Sequence, residues 1–230
     1  MARSTPWTGR LGCWSRCLTP PFRADRMKKV QRLAYLTIVG PAAVILTGVA
    51  FAFRRRGHHH LEPGTRVVSN HVHDFDCLAL VRVFWPTGLR FTSQLSDFGL
   101  PVAGLILRAF GTIPVDVSDV RGFFSANAQA LADGDCVVIY PEGDITCYEP
   151  SAGPFRPGAF ALAVRTGAPV VPVALVRSGR KLGVKWCRPQ LEAKVGPPMY
   201  ADETLPRCQA REELRQRAEN FVSQALDEAV

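Results

Sequence analysis

The chain has 230 residues, 47% of them hydrophobic and 21% charged, which is enough for one sizeable core and excludes two ordinary ones. A formal net charge of +8 and a pI near 9.4 point to an anionic partner, and lipid headgroups, nucleic acid and coenzyme phosphates all qualify. Seven cysteines, an odd number scattered from Cys13 to Cys208 without paired zinc-type spacing, argue for a reducing, cytosol-facing compartment.

In chain order, residues 1–26 mix Arg, Pro, Ser and Trp without apolar periodicity and read as a poorly ordered basic segment. Met27, followed by Lys28 and Lys29, is an alternative start. Residues 27–56 read as a membrane-anchoring helical segment. Leu33 to Phe53 carries no charged residue, close to the roughly 20 residues needed to cross the hydrocarbon core. Arg26, Lys28, Lys29 and Arg32 precede this run and Arg54, Arg55 and Arg56 follow it, so both ends suit anionic headgroups and the orientation stays open. A spanning or re-entrant anchor, a buried amphipathic element and a cleaved signal are all open readings. Pro41 and two glycines weaken a straight span, and the Arg triplet opposes cleavage after Ala50-Phe51-Ala52. His58, His59 and His60, directly after the arginines, read as a solvated or interfacial linker and not as a metal cluster.

Residues 57–230 read as a single α/β domain, with a mixed, largely parallel sheet flanked by helices, because short β-branched runs alternate with segments of helical length. Strands are expected at 66–69, 89–92, 112–115, 137–140, 170–175 and 191–195. Helices are expected at 76–84, 101–110, 123–132 and 158–166, with a polar helix from about Arg207 onward.

Ser69-Asn70-His71-Val72-His73-Asp74-Phe75-Asp76 falls where a strand hands over to a helix, the place where α/β folds put chemistry. With Asp76 in the first helical turn, its carboxylate turns back toward the His71 imidazole. It would fix the tautomer and stabilise imidazolium, so that the other ring nitrogen takes a proton from an alcohol. The spacing alone is weak evidence. His71 read by itself could be structural, Asp74 a helix cap, Glu142 a loop cap, and Gly111 and Gly143 backbone necessities. Cys77 and Cys147 flank the informative stretches, yet nothing demands a cysteine nucleophile.

Four blocks in order carry a resemblance: Asn70 to Asp76 (NHxxxxD), Gly111 to Val115 (GxIxV), Pro141-Glu142-Gly143, and Pro169 to Val173. Over about residues 60–200 the chain resembles the glycerolipid acyltransferase family of the 1-acyl-sn-glycerol-3-phosphate acyltransferase type, which makes phosphatidate from lysophosphatidate. The resemblance implies that His71 is the general base, that Asp76 orients it, and that Gly111, Pro141, Glu142 and Gly143 belong to the acceptor site. It further implies a membrane lipid setting with the catalytic domain facing the cytosol, a lysophospholipid acceptor, acyl-CoA or acyl carrier protein as donor, backbone amides near the oxyanion, and neither a cofactor nor a metal.

The departures remove positive charge. Val117 stands where the family usually has an arginine, and Asp144-Ile145-Thr146 stands where it usually reads Thr-Arg-Ser. Since a phosphomonoester is normally clamped by guanidinium forks, either Arg121 or Arg156 substitutes or the acceptor lacks a terminal phosphate. A metallohydrolase built on His71, His73 and Asp74 or Asp76 is the sharpest rival, and no histidine after His73 completes its site. A non-catalytic lipid-binding protein would leave the His71-Asp76 pairing unexplained. Without a finger, an aromatic-basic ladder or a recognition helix, no nucleic-acid partner is expected.

Overall fold

A computed structural model of the chain describes residues 29–57, 60–72, 76–143, 152–178 and 189–228. The N-terminal segment 1–26, Met27, His58, His59, His73, Asp74 and the stretch 144–147 lie outside the described residues. Among the described residues, seven strands form one sheet: β1 (Ala52–Gly57), β2 (Arg66–Ser69), β3 (Leu89–Gln94), β4 (Ile113–Val115), β5 (Cys136–Ile139), β6 (Val170–Ser178) and β7 (Gln190–Val195). Their spatial order is β1-β7-β6-β2-β5-β3-β4. Neighbours are parallel except β6 and β7, which run antiparallel. The expected α/β class with a mixed, mostly parallel sheet is therefore what the chain adopts.

Among the described residues, six helices flank the sheet. They are α1 (Lys29–Ala50, π-helical over Tyr35–Val39), α2 (Asp76–Phe84), α3 (Ala103–Ala109), α4 (Val120–Ala132), α5 (Gly158–Thr166) and α6 (Arg207–Asp227). The central strand β2 is buried along its whole length, as a parallel strand with both faces covered should be. Val67 joins a core with Leu80 and Val83 of α2, while Val68 joins one with Phe160 of α5 and Leu214 of α6. Each such side chain contributes about 1.5–3 kcal/mol by leaving water.

Local sequence explains the elements that hold the site. In α2, Asp76 occupies the first turn, where the helix dipole favours an anion, and Ala79, Leu80, Val83 and Phe84 form the buried stripe. In α4, the Asp119 side chain accepts the Gly122 amide at 2.8 Å and caps the start. Helix α5 stops at Gly167, whose left-handed backbone (φ 69°) closes its last turn.

The N-terminal part differs from expectation in one respect. The helix ends at Ala50, and the Phe51 backbone, at φ −132° and ψ 150°, turns the chain into an edge strand. Arg54, Arg55 and Arg56 thus lie on β1 and do not continue a helical segment to residue 56. Arg56 pairs with Glu192 at 2.7 Å, and Arg55 Nη1 donates to the Val83 carbonyl at 2.9 Å. A charged edge of this kind resists pairing with other chains.

Helix α1 is long and apolar enough to cross a membrane by length and composition, yet one face of it is docked on the domain. Gly40, Ala43 and Thr47 are buried; Arg82 of α2 donates to the Thr47 hydroxyl at 3.1 Å, and the Trp85 indole lies against Gly40. The outer face presents Ile38, Ile45, Leu46 and Val49.

Candidate active site

Strand β2 ends at Ser69 between its parallel neighbours β5 and β6. The next residue, Asn70, is buried and spans to β6: its Nδ2 donates to the Leu175 carbonyl at 3.0 Å, and its Oδ1 accepts the Leu175 amide at 2.7 Å. This two-point clamp fixes where the chain leaves the sheet, and hence where His71 begins.

His71 Nδ1 lies 2.9 Å from Asp76 Oδ2. That carboxylate is almost fully buried, whereas the imidazole keeps 20% of its side-chain surface exposed. The same Oδ2 accepts the Val72 amide at 2.7 Å, so Asp76 is held by the loop it orients. An ionised carboxylate only accepts, which places the proton on Nδ1 and makes Nε2 the nitrogen that takes up a proton. The Tyr140 ring stacks on the imidazole, with centroids 4.1 Å apart and 15° between the planes. The Glu142 carboxylate accepts the His71 amide at 3.4 Å. A block distant in sequence thus meets His71, Tyr140 through its ring and Glu142 through the His71 backbone amide.

His71 stands on the wall of a cavity of about 1220 Å³. The wall is mainly apolar: Tyr35 and Val39 come from α1, Leu78 and Val81 from α2, and Ile106 and Leu107 from α3. Pro141, Gly143 and Arg156 line it near His71. Arg156 is the only arginine or lysine among the described lining residues. Its guanidinium presses against Gly143, where φ is +85° and a Cβ atom would come within 2.6 Å of Arg156 Cζ. Only glycine satisfies both conditions.

The other candidates from sequence lie elsewhere. Glu142 is buried behind the wall. Gly111, at φ +64°, forms a turn beside Arg90 and Gln31 and is not in the lining. Arg121 is exposed in the first turn of α4, also outside the lining. Cys77 lines the cavity, and Cys147 lies outside the described residues. Asp116 and Val117 are at the cavity's edge, with Val117 88% exposed.

The described amides nearest the dyad are already engaged. His71 N and Val72 N donate to Glu142 and Asp76, Gly143 N to the Tyr140 carbonyl at 3.2 Å and Arg156 N to the Pro141 carbonyl at 2.8 Å. Among the described residues, Arg156 is the positively charged side chain of the cavity wall. Sequence reasoning passed over Tyr140 as a functional residue. Its only signal was an aromatic directly before Pro141-Glu142-Gly143.

Comparison with known proteins places these features in context. Residues 53–176 match the family described as Acyltransferase. A chloroplastic 1-acyl-sn-glycerol-3-phosphate acyltransferase of Brassica napus is 31% identical over 116 residues, which cover 49% of this chain and 33% of that one. The 1-acyl-sn-glycerol-3-phosphate acyltransferase of Pseudomonas aeruginosa is 29% identical over 217 residues, 90% of this chain and 80% of that one. The match spans only 32% to 46% of the length of the plant and algal relatives. Among solved structures, the 1-acyl-sn-glycerophosphate acyltransferase PlsC of Thermotoga maritima superposes with a TM-score of 0.66 at 17% identity, covering 90% of this chain and 88% of that one. That likeness concerns the fold.

Proposed function

This chain belongs to the Acyltransferase family, and from that premise we propose that it is a membrane-associated enzyme that moves a fatty acyl group from a thioester to the free hydroxyl of a lysophospholipid. The acceptor is 1-acylglycerol-3-phosphate, the product is phosphatidate, and the donor is acyl-CoA or acyl carrier protein. The observation that carries this reading is the His71-Asp76 dyad, 2.9 Å between Nδ1 and Oδ2, on the wall of a large apolar cavity. Relatives named for this reaction support it.

The reaction runs without a covalent enzyme intermediate. His71 Nε2 takes the hydroxyl proton as the acceptor oxygen attacks the thioester carbonyl, and Asp76 stabilises the imidazolium that results. The tetrahedral oxyanion collapses, the carbon–sulfur bond breaks, and the imidazolium returns the proton to the departing thiolate. Arg156 meets negative charge on that side of the cavity, either the acceptor phosphate or the oxyanion. The apolar walls take hydrocarbon. Helix α1 lies in the membrane interface with Ile38, Ile45, Leu46 and Val49 toward lipid, because its opposite face is occupied by α2.

One observation favours a second acceptor class. Val117 lines the cavity edge where a phosphate-binding arginine is usual, which suits a lyso-lipid without a terminal phosphate. Reconstituted protein given a labelled acyl thioester and matched lyso-lipids with and without that phosphate separates the two. Esterification of lysophosphatidate is expected, with Arg156 as the phosphate contact. Preference for the phosphate-free lipid would select the second acceptor, and no transfer with any pair would end the reading.

A further inference from the structure

Helix α3 has an unusual balance of surfaces. Its sequence, Ala-Gly-Leu-Ile-Leu-Arg-Ala, is apolar but for Arg108, and its only buried residue is Gly104. That glycine rides directly on the preceding 3-10 turn (Leu95–Gly99), where an added Cβ would meet the Phe98 carbonyl oxygen at 2.3 Å. The helix is thus pinned at Gly104 while Leu105 and Ile106 stay exposed. Val102 is 70% exposed and Leu105 69% exposed; with Ile106 and Ala109 they follow the i, i+3, i+4, i+7 spacing of one stripe. An apolar stripe on so short a helix is costly in water and marks a surface that meets something apolar.

One hydrogen bond and a shared cavity wall tie this stripe to α1. The Gln31 side chain of α1 donates to the Ala109 carbonyl at 3.0 Å, which joins the start of α1 to the end of α3. The outer face of α1 is itself apolar, with Val30 and Leu33 exposed nearest this junction. The two helices also share the cavity wall, which Tyr35 and Val39 line from α1 and Ile106 from α3, with Phe110 just after it. Leu95, Leu100, Ile106 and Phe110 both line the cavity and remain exposed at its rim. Lys29, Arg32 and Arg108 lie at the ends of the same two helices, where anionic headgroups would meet them.

We infer that α3 and the apolar cavity rim are a second bilayer-contacting surface, continuous with α1, so that the cavity opens sideways into the leaflet and hydrocarbon enters it between the two helices. A phospholipid bilayer is the occupant because one surface must satisfy three features together: the exposed stripe, the flanking cations, and a cavity that takes alkyl chains from its rim. The last of these rests on the acyl-transfer reading; the membrane contact itself is measured without catalysis.

The test uses the full chain on phosphatidylethanolamine/phosphatidylglycerol vesicles. Leu105→Trp is compared with Gln216→Trp on exposed α6, each read by quenching from lipids brominated on the acyl chain. Quenching specific to position 105, by about half or more, is expected from a side chain buried below the headgroups. Val102→Glu/Leu105→Glu, which leaves the cavity lining untouched, should weaken vesicle partition roughly tenfold while transfer in detergent micelles persists. An unquenched position 105 on vesicle-bound protein would overturn the inference, as would shielding of that position by a protein dimer seen in sedimentation. Absence of acyl transfer with quenching intact would count against the acyl-transfer reading alone.

Discussion

Tyr140 lies flat against His71, ring centroids 4.1 Å apart, while its buried hydroxyl has no hydrogen-bond partner among the described residues. Burial holds that phenol well above the usual tyrosine range, with Cys77 and Asp76 nearby adding to the effect. The ring and not the hydroxyl therefore supports the imidazole. Tyr140→Phe should keep turnover within about twofold and leave stability unchanged or raised by up to about 1 kcal/mol. Tyr140→Ala should lower kcat at least about tenfold, because the imidazole loses its stacking wall. Steady-state kinetics and urea unfolding of both variants check this.

Asn70 clamps Leu175 through two buried hydrogen bonds of 3.0 and 2.7 Å. Asn70→Ala strands both backbone groups of Leu175 and should cost about 2–4 kcal/mol. It should also lower kcat more than it raises KM, since the residue it releases, His71, is the proposed base. Chemical denaturation and kinetics on the same preparation separate the two effects.

Arg156 and Arg121 were equal candidates for a phosphate contact in the sequence. The structure puts Arg156 on the cavity wall and Arg121 outside it. Arg156→Ala should raise KM for a phosphate-bearing acceptor about tenfold or more, with a smaller change for a phosphate-free one. Arg121→Ala should leave both KM values unchanged. Equal effects of the two substitutions would refute the assignment.

Arg66 is fully buried and donates to the Ala159 carbonyl at 3.0 Å, and among the described residues its Nε and Nη2 have no partner. Burial pushes its guanidinium down to about 9 from 12.5. The folded pKa lies below the unfolded one, so between these values the unfolded chain binds more protons and stability rises with pH. Below about 9 the buried cation costs its full amount. Arg66→Met should thus stabilise the protein by about 1–3 kcal/mol at neutral pH, and the difference should narrow above pH 10. Urea midpoints of both proteins at the two pH values test the sign.

The parts of the fold with a strong local signal were legible in the sequence. The bounds of β2, α2 and α5 follow from a β-branched run, an amphipathic stripe with an acid in its first turn, and a helix ended by glycine. Strand β1 was not legible, because Ala-Phe-Arg-Arg-Arg-Gly has no alternating pattern and becomes a strand only through pairing with the distant β7. Spacing across a strand–helix junction offered the His71-Asp76 pairing only weakly, and the four blocks in order singled it out. Tyr140 stacking and the division of labour between Arg156 and Arg121 were not legible, since both depend on how separate crossovers bring β5 and the start of α5 beside the end of β2.

The central claim is that His71 is the base in acyl transfer to a lipid hydroxyl. The direct measurement is transfer from a labelled acyl thioester to lysophosphatidate by membrane-reconstituted wild type and His71→Ala, at matched folding and membrane attachment and with a chelator present. Turnover by the wild type that survives chelation, with a loss on the order of 10² or more in the variant, is the predicted result. Near-normal turnover by His71→Ala would contradict the account.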